Sequence, residues 1–400
     1  MMTPRSGWSW PAPPNPLGGF EVSSSLYPWD LHDEGTEHIF DNLQTMAEVN
    51  SVYVLGIMHY EIRPLTSPHY THNPVRLNWQ AEDSRCYWHF DPSMYGRIKP
   101  VPSDFDFLRE DWVGRFVEAA HKRNLKTGVE LSHTLIPLEF VLNSYSDCAQ
   151  QDIHGVSHSV YGRSYPLCPN NTDVQAYVRG LFSDLAKHYE VDYLQTCMLP
   201  FMPGGADKGG CFCASCVKAA AAKNIDLKAI QAVLLKDPSA EPQLATWQKF
   251  REDSMVDFFR IMHESIHALK PRCDLRYNDC FSGAARWGLD FSTLRHSLDS
   301  LRVCDYSEQK GDPALMKNKT DWLTSERKAT GRDFPMLSAI AVRPKATPQL
   351  IREGVQIAVN CQMDGITLGH YDGAEFPMLR AIREGLDAEG VRPPKTLSQV

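Results

Sequence analysis

Three cysteines stand close together in the sequence, and their spacing is typical of metal ligands. Cys211, Cys213 and Cys216 form a C-x-C-x-x-C motif, preceded by two glycines whose permissive backbone allows a chain to wrap around an ion. Structural zinc prefers four ligands in a tetrahedron, and Cys168, at the end of the preceding long loop, is the candidate for the fourth. We therefore expect a structural Zn²⁺ bound by four cysteines. The alternative is that the three motif residues are free loop cysteines.

A second set of candidates contains carboxylates in or directly after predicted β-strands. Cleavage of a glycosidic bond needs two carboxyl groups, one protonated to assist the leaving group and one ionised to activate water or to attack. The candidates for these roles are Asp279, Glu308, Asp372 and Glu130. Three of them have a structural alternative: a purely structural role for Asp279, a cap of the last helix for Asp372 and part of a satisfied buried pair for Glu130. The sequence does not select a pair.

Polar and aromatic residues near the same strand ends are candidates for binding a sugar. Aromatic faces stack on the C–H surfaces of sugars, and neighbouring polar groups bind hydroxyls. The predicted substrate-binding residues are His59, Tyr60, Glu61, Trp79, Trp88, His133, Asn278, Arg343, His370 and Tyr371. The alternative for the aromatic residues is a small apolar cluster beneath the loop that carries them.

Histidines in this set permit a different chemistry. His59, Glu130 and His370 are of the ligand types that hold a divalent metal in sugar isomerases, epimerases and lyases, where the metal polarises a carbonyl or hydroxyl group. Two cysteines near strand ends, Cys197 and Cys280, are candidate nucleophiles, but a free cysteine inside a barrel is usually a small buried apolar residue. A metal-dependent isomerase, epimerase or lyase therefore remains an alternative to a hydrolase.

The elements that must position these residues alternate regularly along the chain. Eight short apolar or alternating segments predict strands, and stretches of helical periodicity follow them. The predicted strands are Phe20–Pro28, Ser51–Glu61, Lys126–Leu135, Val191–Leu199, Asp274–Cys280, Leu301–Glu308, Phe334–Val342 and Asp364–Asp372. Helix starts are indicated by Asn171 or Thr172 for the third helix and by Thr347-Pro348 for the seventh. The sequence thus predicts the α/β class and a single-domain (β/α)₈ TIM barrel.

Three predicted connections are too long to be simple strand-to-helix loops. They follow strands two, three and four and comprise residues 62–109, 136–170 and 200–245. All three therefore lie on the carboxyl-terminal face of the barrel, where barrel enzymes build their sites. We expect a Pro- and Trp-rich extension over residues 1–19, the barrel over 20–390 and a tail over 391–400. The rival architecture, an open doubly wound sheet, lacks its G-x-G-x-x-G motif.

Part of the chain resembles a known enzyme family. The segment LCPNNTDVQAYVRGLFSDLAKHYEVDY, residues 167–193, followed by CFCASC, is similar to family 42 glycoside hydrolases, the thermophilic-type β-galactosidases. In that family a Cys-Pro-Asn segment begins the third helix, and its cysteine joins a later C-x-C-x-x-C motif to hold zinc. The resemblance therefore implies that Cys168, Cys211, Cys213 and Cys216 are the zinc ligands.

The resemblance ends at the catalytic positions. The family belongs to a clan of retaining glycosidases with Asn-Glu at the end of strand four and a glutamate at the end of strand seven. At these two places this sequence has Thr196-Cys197-Met198 and Ala341-Val342-Arg343. We therefore expect a glycosidase-like barrel that uses a different catalytic set.

The amino-acid composition narrows the classes of partner that we expect the protein to bind. The 400 residues carry a net charge of −8 and are 42% hydrophobic, without an apolar run of membrane-spanning length, so we predict no nucleic-acid partner and no membrane partner. The first residues lack the apolar region of a secretory signal, and the 11 cysteines do not form a disulfide framework, so we predict a cytoplasmic protein. The expected partner is a small carbohydrate or glycoside, and a homo-oligomer is compatible with the sequence. A non-catalytic sugar-binding barrel is the third functional alternative.

Overall fold

The protein folds around a closed parallel β-barrel. A computed structural model describes residues 19–57, 61–64, 78–81, 85–103, 110–132, 135–137, 144–160, 164–197, 200–204, 209–343 and 345–395. The barrel strands are β1 (Glu21–Leu26), β2 (Ser51–Ile57), β3 (Lys126–Leu131), β4 (Tyr193–Thr196), β5 (Asp274–Asp279), β6 (Ser300–Val303), β7 (Met336–Ala341) and β8 (Gly365–Gly369). Each strand pairs in parallel with its sequence neighbours, and β1 pairs with both β2 and β8. The predicted (β/α)₈ TIM barrel is confirmed.

Helices follow the strands in turn. They are α1 (Thr36–Ala47), α2 (Trp112–Lys122), α3 (Thr172–His188), α4 (Gln243–His267), α5 (Phe291–Leu294), α6 (Met316–Thr330), α7 (Pro348–Asn360) and α8 (Phe376–Ala388). Both predicted helix starts are confirmed: the side chain of Asn171 accepts hydrogen bonds from the first turn of α3, and the Thr347 hydroxyl accepts one from Leu350 N at 3.2 Å. The fifth helix is reduced to one turn.

The three long connections carry additional elements. The connection after β2 contains the strands Glu61–Pro64, Asn78–Ala81, Arg85–Cys86 and Val101–Pro102. The connection after β3 contains the antiparallel pair Leu135–Pro137 and Ser164–Pro166, and the one after β4 contains the helices Ala214–Ala222 and Leu227–Leu234. Because all of them leave the carboxyl ends of their strands, they lie on one face of the barrel.

The barrel interior differs in composition from the layer between strands and helices. Successive side chains of a strand point to opposite sides, so Val22, Val52 and Val129 join the apolar layer beneath the helices, where each is fully buried. The other set of side chains fills the interior and is largely polar. Tyr193 lies so close to β3 that a Cβ atom at Gly128 would come within 2.2 Å of its ring, and only glycine fits there.

The helices also bear on membrane association. Within the described ranges, no helix combines the length and apolarity needed to cross a membrane.

Candidate functional site

A polar network fills the carboxyl-terminal half of the barrel interior. Glu130 on β3 accepts hydrogen bonds from the side-chain amides of Gln195 and Asn278, the second at 3.4 Å. Asn278 in turn accepts a hydrogen bond from Arg302 Nη1 at 2.5 Å, and Arg302 Nη2 donates to the Tyr306 hydroxyl at 2.6 Å. Four adjacent strands therefore contribute one connected network to a single space.

The pKa of the Glu130 carboxyl group is raised in this setting. Burial raises the pKa of its carboxyl group to about 8, and nearby Cys197 adds to the rise, while Arg302 and the Gln195 amide oppose it. A carboxyl group that keeps its proton at pH 7 is suited to donate it to a leaving group.

Three thiols lie at the ends of three consecutive strands. Cys197 follows β4, Cys280 follows β5 and Cys304 follows β6, and the sulfur atoms of Cys197 and Cys280 are 3.8 Å apart. A hydrogen bond from Cys280 lowers the pKa of the Cys304 thiol to about 7; burial opposes this shift and Arg302, with Nη1 at 3.5 Å, adds to it. The thiols are therefore part of the polar site rather than isolated apolar residues.

The opposite side of the interior presents aromatic and cationic groups. His370 Nδ1 lies 2.7 Å from the Ser25 hydroxyl, and its ring is 4.9 Å from the ring of Tyr27. Arg343 Nη2 donates to the Tyr27 hydroxyl at 3.3 Å, and Trp29 stacks on Tyr27 at 4.5 Å. Two predicted substrate-binding residues, Arg343 and His370, thus meet around one tyrosine.

Two of the predicted catalytic carboxylates lie on the outer side of the strands. Glu308 forms a fully buried ion pair with Lys319 at 2.6 Å and accepts a hydrogen bond from the Ala341 backbone. Asp279 follows Asn278, so its side chain points away from the interior; burial and the Glu326 carboxyl group of α6 raise its pKa well above the usual range. The polar interior network connects Glu130 with neither of these carboxylates.

The remaining predicted residues are scattered around the barrel. Asp372 is fully buried in the turn Tyr371–Gly373, and the Tyr371 hydroxyl donates to Glu34 at 2.7 Å. Trp88 donates from Nε1 to Asp184 of α3 at 3.2 Å. The predicted residues His59, Tyr60 and His133 lie outside the described residues, and Glu61 and Trp79 lie in short strands of which only the backbone is described.

The four predicted metal-ligating cysteines come together. The sulfur atoms of Cys168, Cys211, Cys213 and Cys216 all lie within 4.8 Å of one another, and Cys168 is 3.4 Å from Cys213 and 3.5 Å from Cys216. A tetrahedral ion with metal–sulfur bonds of about 2.3 Å needs ligands roughly 3.8 Å apart, so this buried group fits a metal ion.

Hydrogen-bond donors around the cysteine group also suit metal-bound thiolates. The backbone N–H of Gln151 donates to the Cys211 sulfur and the Asn170 side-chain amide to the Cys216 sulfur, both at 3.3 Å. Such donors commonly surround the ligands of a metal site and fix their orientation.

Sequence reasoning missed Gln195 and Arg302 as members of the interior network. The available signal was a polar side chain at an alternate position of an otherwise apolar strand, as at Gln195 between Leu194 and the end of β4. Such a residue is expected to face the barrel interior.

Comparisons with known proteins support the fold. No known protein family matches the sequence, and neither does any curated protein. Among solved structures, the glycoside hydrolase domain of PgaB (BpsB) from Bordetella bronchiseptica is similar with a TM-score of 0.64 and 14% identity, over 95% of this chain and 99% of that domain. The α-L-fucosidase isoenzyme 2 from Paenibacillus thiaminolyticus has a TM-score of 0.59 and 14% identity, over 93% of this chain and 49% of the fucosidase.

A β-galactosidase from the Antarctic haloarchaeon Halorubrum lacusprofundi gives a third match, with a TM-score of 0.59 and 13% identity over 93% of this chain. This chain spans 58% of that β-galactosidase and about half of the fucosidase. Identities this low show a shared fold and leave the substrate open. The chain therefore has the TIM-barrel fold of glycoside hydrolases.

Proposed function

We propose that the protein is a glycoside hydrolase with Glu130 as its general acid. The observation that carries this proposal is the position of Glu130, inside the barrel towards its carboxyl-terminal face, with a pKa raised to about 8 by burial. In this role Glu130 donates its proton to the glycosidic oxygen as the bond to the anomeric carbon breaks.

Neighbouring residues have supporting roles in this proposal. Gln195 and Asn278 orient the Glu130 carboxyl group by donating to it. His370 and Arg343, together with the ring of Tyr27, are placed to bind hydroxyl groups and a face of the sugar. These groups fix the sugar relative to the acid.

The ionised second carboxyl group is assigned to one of two candidates. Glu308 is excluded from this role because Lys319 neutralises it behind β7, and Asp279 because it faces α6. Of the carboxylates predicted to be catalytic, Asp372 remains. Glu61, predicted to bind the substrate, is the second candidate, and we propose that one of the two activates water or attacks the sugar. Substitution of each by its amide identifies the partner, because only the correct one abolishes turnover as strongly as Glu130→Gln.

The test uses matched amide variants and a pool of oligosaccharides, aryl glycosides and free sugars. We expect products that gain the mass of water with the wild type and a loss of about 10²- to 10⁴-fold with Glu130→Gln. Glu326→Gln is the control, because burial also raises the pKa of Glu326, to about 7, but on α6 outside the interior. Hydrolysis that is equally fast in Glu130→Gln would contradict the proposed role of Glu130.

One observation favours a second function, a sugar-binding barrel without turnover. Two predicted catalytic carboxylates are held behind the strands, whereas Tyr27, Arg343 and His370 remain grouped as a binding surface. Saturable sugar binding with no product in the same pool would support this function. New sugar signals at unchanged mass would instead indicate an isomerase or epimerase.

We also propose that the four-cysteine group holds one structural Zn²⁺. The support is the closeness of the four sulfur atoms, all within 4.8 Å of one another, and their complete or nearly complete burial. Metal analysis of the purified protein should give zinc bound through Cys168, Cys211, Cys213 and Cys216, and Cys213→Ser should lower both the zinc content and the melting temperature. Unchanged zinc content in Cys213→Ser would contradict this assignment.

A further inference from the structure

Helix α4 carries a potential metal-binding motif at its carboxyl-terminal end that the sequence analysis overlooked. Residues 263–267 read His-Glu-Ser-Ile-His, an H-E-x-x-H pattern. Residues four apart lie on the same face of a helix, so the two histidines project side by side, an arrangement that binds a metal in many proteins. The pattern alone is weak, because it also occurs by chance, and the structure must supply a third ligand.

The third group is Asp299, which directly precedes β6. The Nε2 atoms of His263 and His267 lie 3.2 and 3.1 Å from the two carboxylate oxygens of Asp299, and the two imidazole rings stack at 4.0 Å. All three ligand atoms lie within 4.8 Å of one another. Helix α4 and the segment before β6 are brought together by the barrel fold, so the cluster does not result from the helix alone.

The separations suit a transition-metal ion. Bonds of about 2.0–2.1 Å to nitrogen and oxygen place tetrahedral ligands roughly 3.4 Å apart, close to the distances observed. The carboxylate is also held in place, because the Leu275 backbone N–H donates to Asp299 Oδ2 at 2.7 Å. Each of the three side chains remains about a quarter exposed, which leaves room for a water or ligand at the metal.

We propose that His263, His267 and Asp299 form a second metal site for a divalent transition-metal ion, with at least one coordination position open to solvent. The site lies near the amino ends of β5 and β6, at the opposite end of the barrel from Glu130. Three protein ligands with an open position are typical of sites at which a metal binds a water or a substrate, in contrast to the closed four-cysteine group. Glu264, the second residue of the motif, is largely exposed beside the ligands and is not one of them.

The same chain offers a matched comparison. His188 and Asp184 on α3 also form a pair, 2.8 Å apart and four residues apart in sequence, in which the histidine is partly exposed and the aspartate fully buried. This pair belongs to none of the potential metal-binding groups found among the described residues. His188→Ala therefore removes a similar histidine–aspartate contact without touching the proposed site.

The experiment counts bound Zn²⁺ by native mass spectrometry after the full-length protein is stripped by a chelator and reloaded. We expect two ions per chain in the wild type, in Glu264→Gln and in His188→Ala, and one ion in the double variant His263→Ala/His267→Ala. Asp299→Asn, which keeps the shape of the side chain, should weaken the second equivalent without removing the first. Melting curves of the variants establish that each is folded.

Loading with Co²⁺ distinguishes the two sites by their spectra. The four-cysteine group should give intense sulfur-to-cobalt charge-transfer bands, and the histidine site only weaker visible bands, which the double variant should lose. An equal number of ions in the wild type and the double variant would overturn the proposal. So would a second ion whose cobalt spectrum shows only thiolate ligation.

Discussion

The barrel interior holds two buried glutamate–arginine systems that behave in opposite ways. In the half of the interior near the amino-terminal ends of the strands, which we call the lower half, Arg276 donates to both oxygens of Glu21 at 2.8 and 3.0 Å. Burial pushes the pKa of Glu21 upward, but the charges of Arg276 and Lys126 outweigh it and lower that pKa to about 2. In the upper half, near the carboxyl-terminal ends of the strands, Asn278 lies between Glu130 and Arg302, and the pKa of Glu130 rises to about 8.

The difference lies in the contact, since both carboxyl groups are buried and both systems include an arginine. A guanidinium that bonds directly to a carboxylate compensates its desolvation, whereas an interposed amide does so only weakly. The lower pair is therefore an ionised cross-brace between β1 and β5, and the upper glutamate is a protonated acid. Amino-terminal barrel positions commonly serve stability and carboxyl-terminal ones chemistry, a division that agrees with the proposed role of Glu130.

The largest effect should come from breaking the lower pair with Glu21→Gln. This change leaves the buried guanidinium of Arg276 without its counter-charge, and we expect a loss of about 3–5 kcal/mol in the free energy of unfolding at pH 7. Because the pKa of Glu21 is lowered, its stabilisation is present above about pH 4.5 and is lost as the pH falls towards 2. Urea unfolding at several pH values measures the loss at pH 7 and its dependence on pH. A loss below about 1 kcal/mol at pH 7 would contradict the role of this ion pair as a brace.

The same substitution in the upper half, Glu130→Gln, should change the stability in the opposite direction. The raised pKa gives a stabilisation that is complete below about pH 4.5 and is lost as the pH rises through 8. We expect the variant to match the wild type within about 1 kcal/mol at pH 4 and to become the more stable protein towards pH 8, by at most about 1.4 kcal/mol per pH unit. If the stability of the wild type and of Glu130→Gln changed with pH in the same way, the pKa of Glu130 would not be raised, and this prediction would be wrong.

The adjacent pair Asn278 and Asp279 shows how far the sequence could lead. Short apolar segments correctly predicted all eight strands, because strand periodicity is a local property. The choice of Asp279 as a catalytic residue depended on which of two neighbours faces inward, and one position along a strand reverses the side. The structure places Asn278 in the interior network and Asp279 against α6.

The cysteine group was easier to predict than the interior network for a physical reason. A metal needs several ligands within a few ångströms, and one short segment can supply three of them at close sequence spacing, as the segment with Cys211, Cys213 and Cys216 does. The interior network draws one residue from each of four strands, separated by up to 172 positions between Glu130 and Arg302. No local sequence pattern indicates that residues so far apart in the chain lie together in the fold.

Removal of the upper arginine tests whether it acts as a counter-ion. Arg302→Met deletes the donors to Asn278 and Tyr306. It should leave no ionised carboxylate behind at pH 7, because the pKa of Glu130 is raised to about 8. We expect a loss of about 1–3 kcal/mol, the cost of unpaired neutral groups, and therefore less than for Glu21→Gln. A further rise of the Glu130 pKa should accompany it, seen as a more alkaline limb in the pH profile of stability. A loss larger than that of Glu21→Gln would mean that Glu130 is ionised and paired with Arg302.

The smallest effect should follow from Lys126→Met at the edge of the lower pair. Lys126 Nζ lies 3.6 Å from Glu21 and 3.3 Å from Asp274, and its side chain is partly exposed, so solvent screens its charge. Methionine removes the ammonium group that lies 5.5 Å from the centre of the Tyr193 ring, but the bidentate contact from Arg276 to Glu21 remains. We expect a loss of about 1 kcal/mol or less in urea unfolding, with the acid limb due to Glu21 moved only slightly upward. A loss as large as that of Glu21→Gln would mean that Lys126, and not Arg276, is the main counter-charge of Glu21. Direct pairing with a guanidinium would then no longer explain why the two glutamates differ.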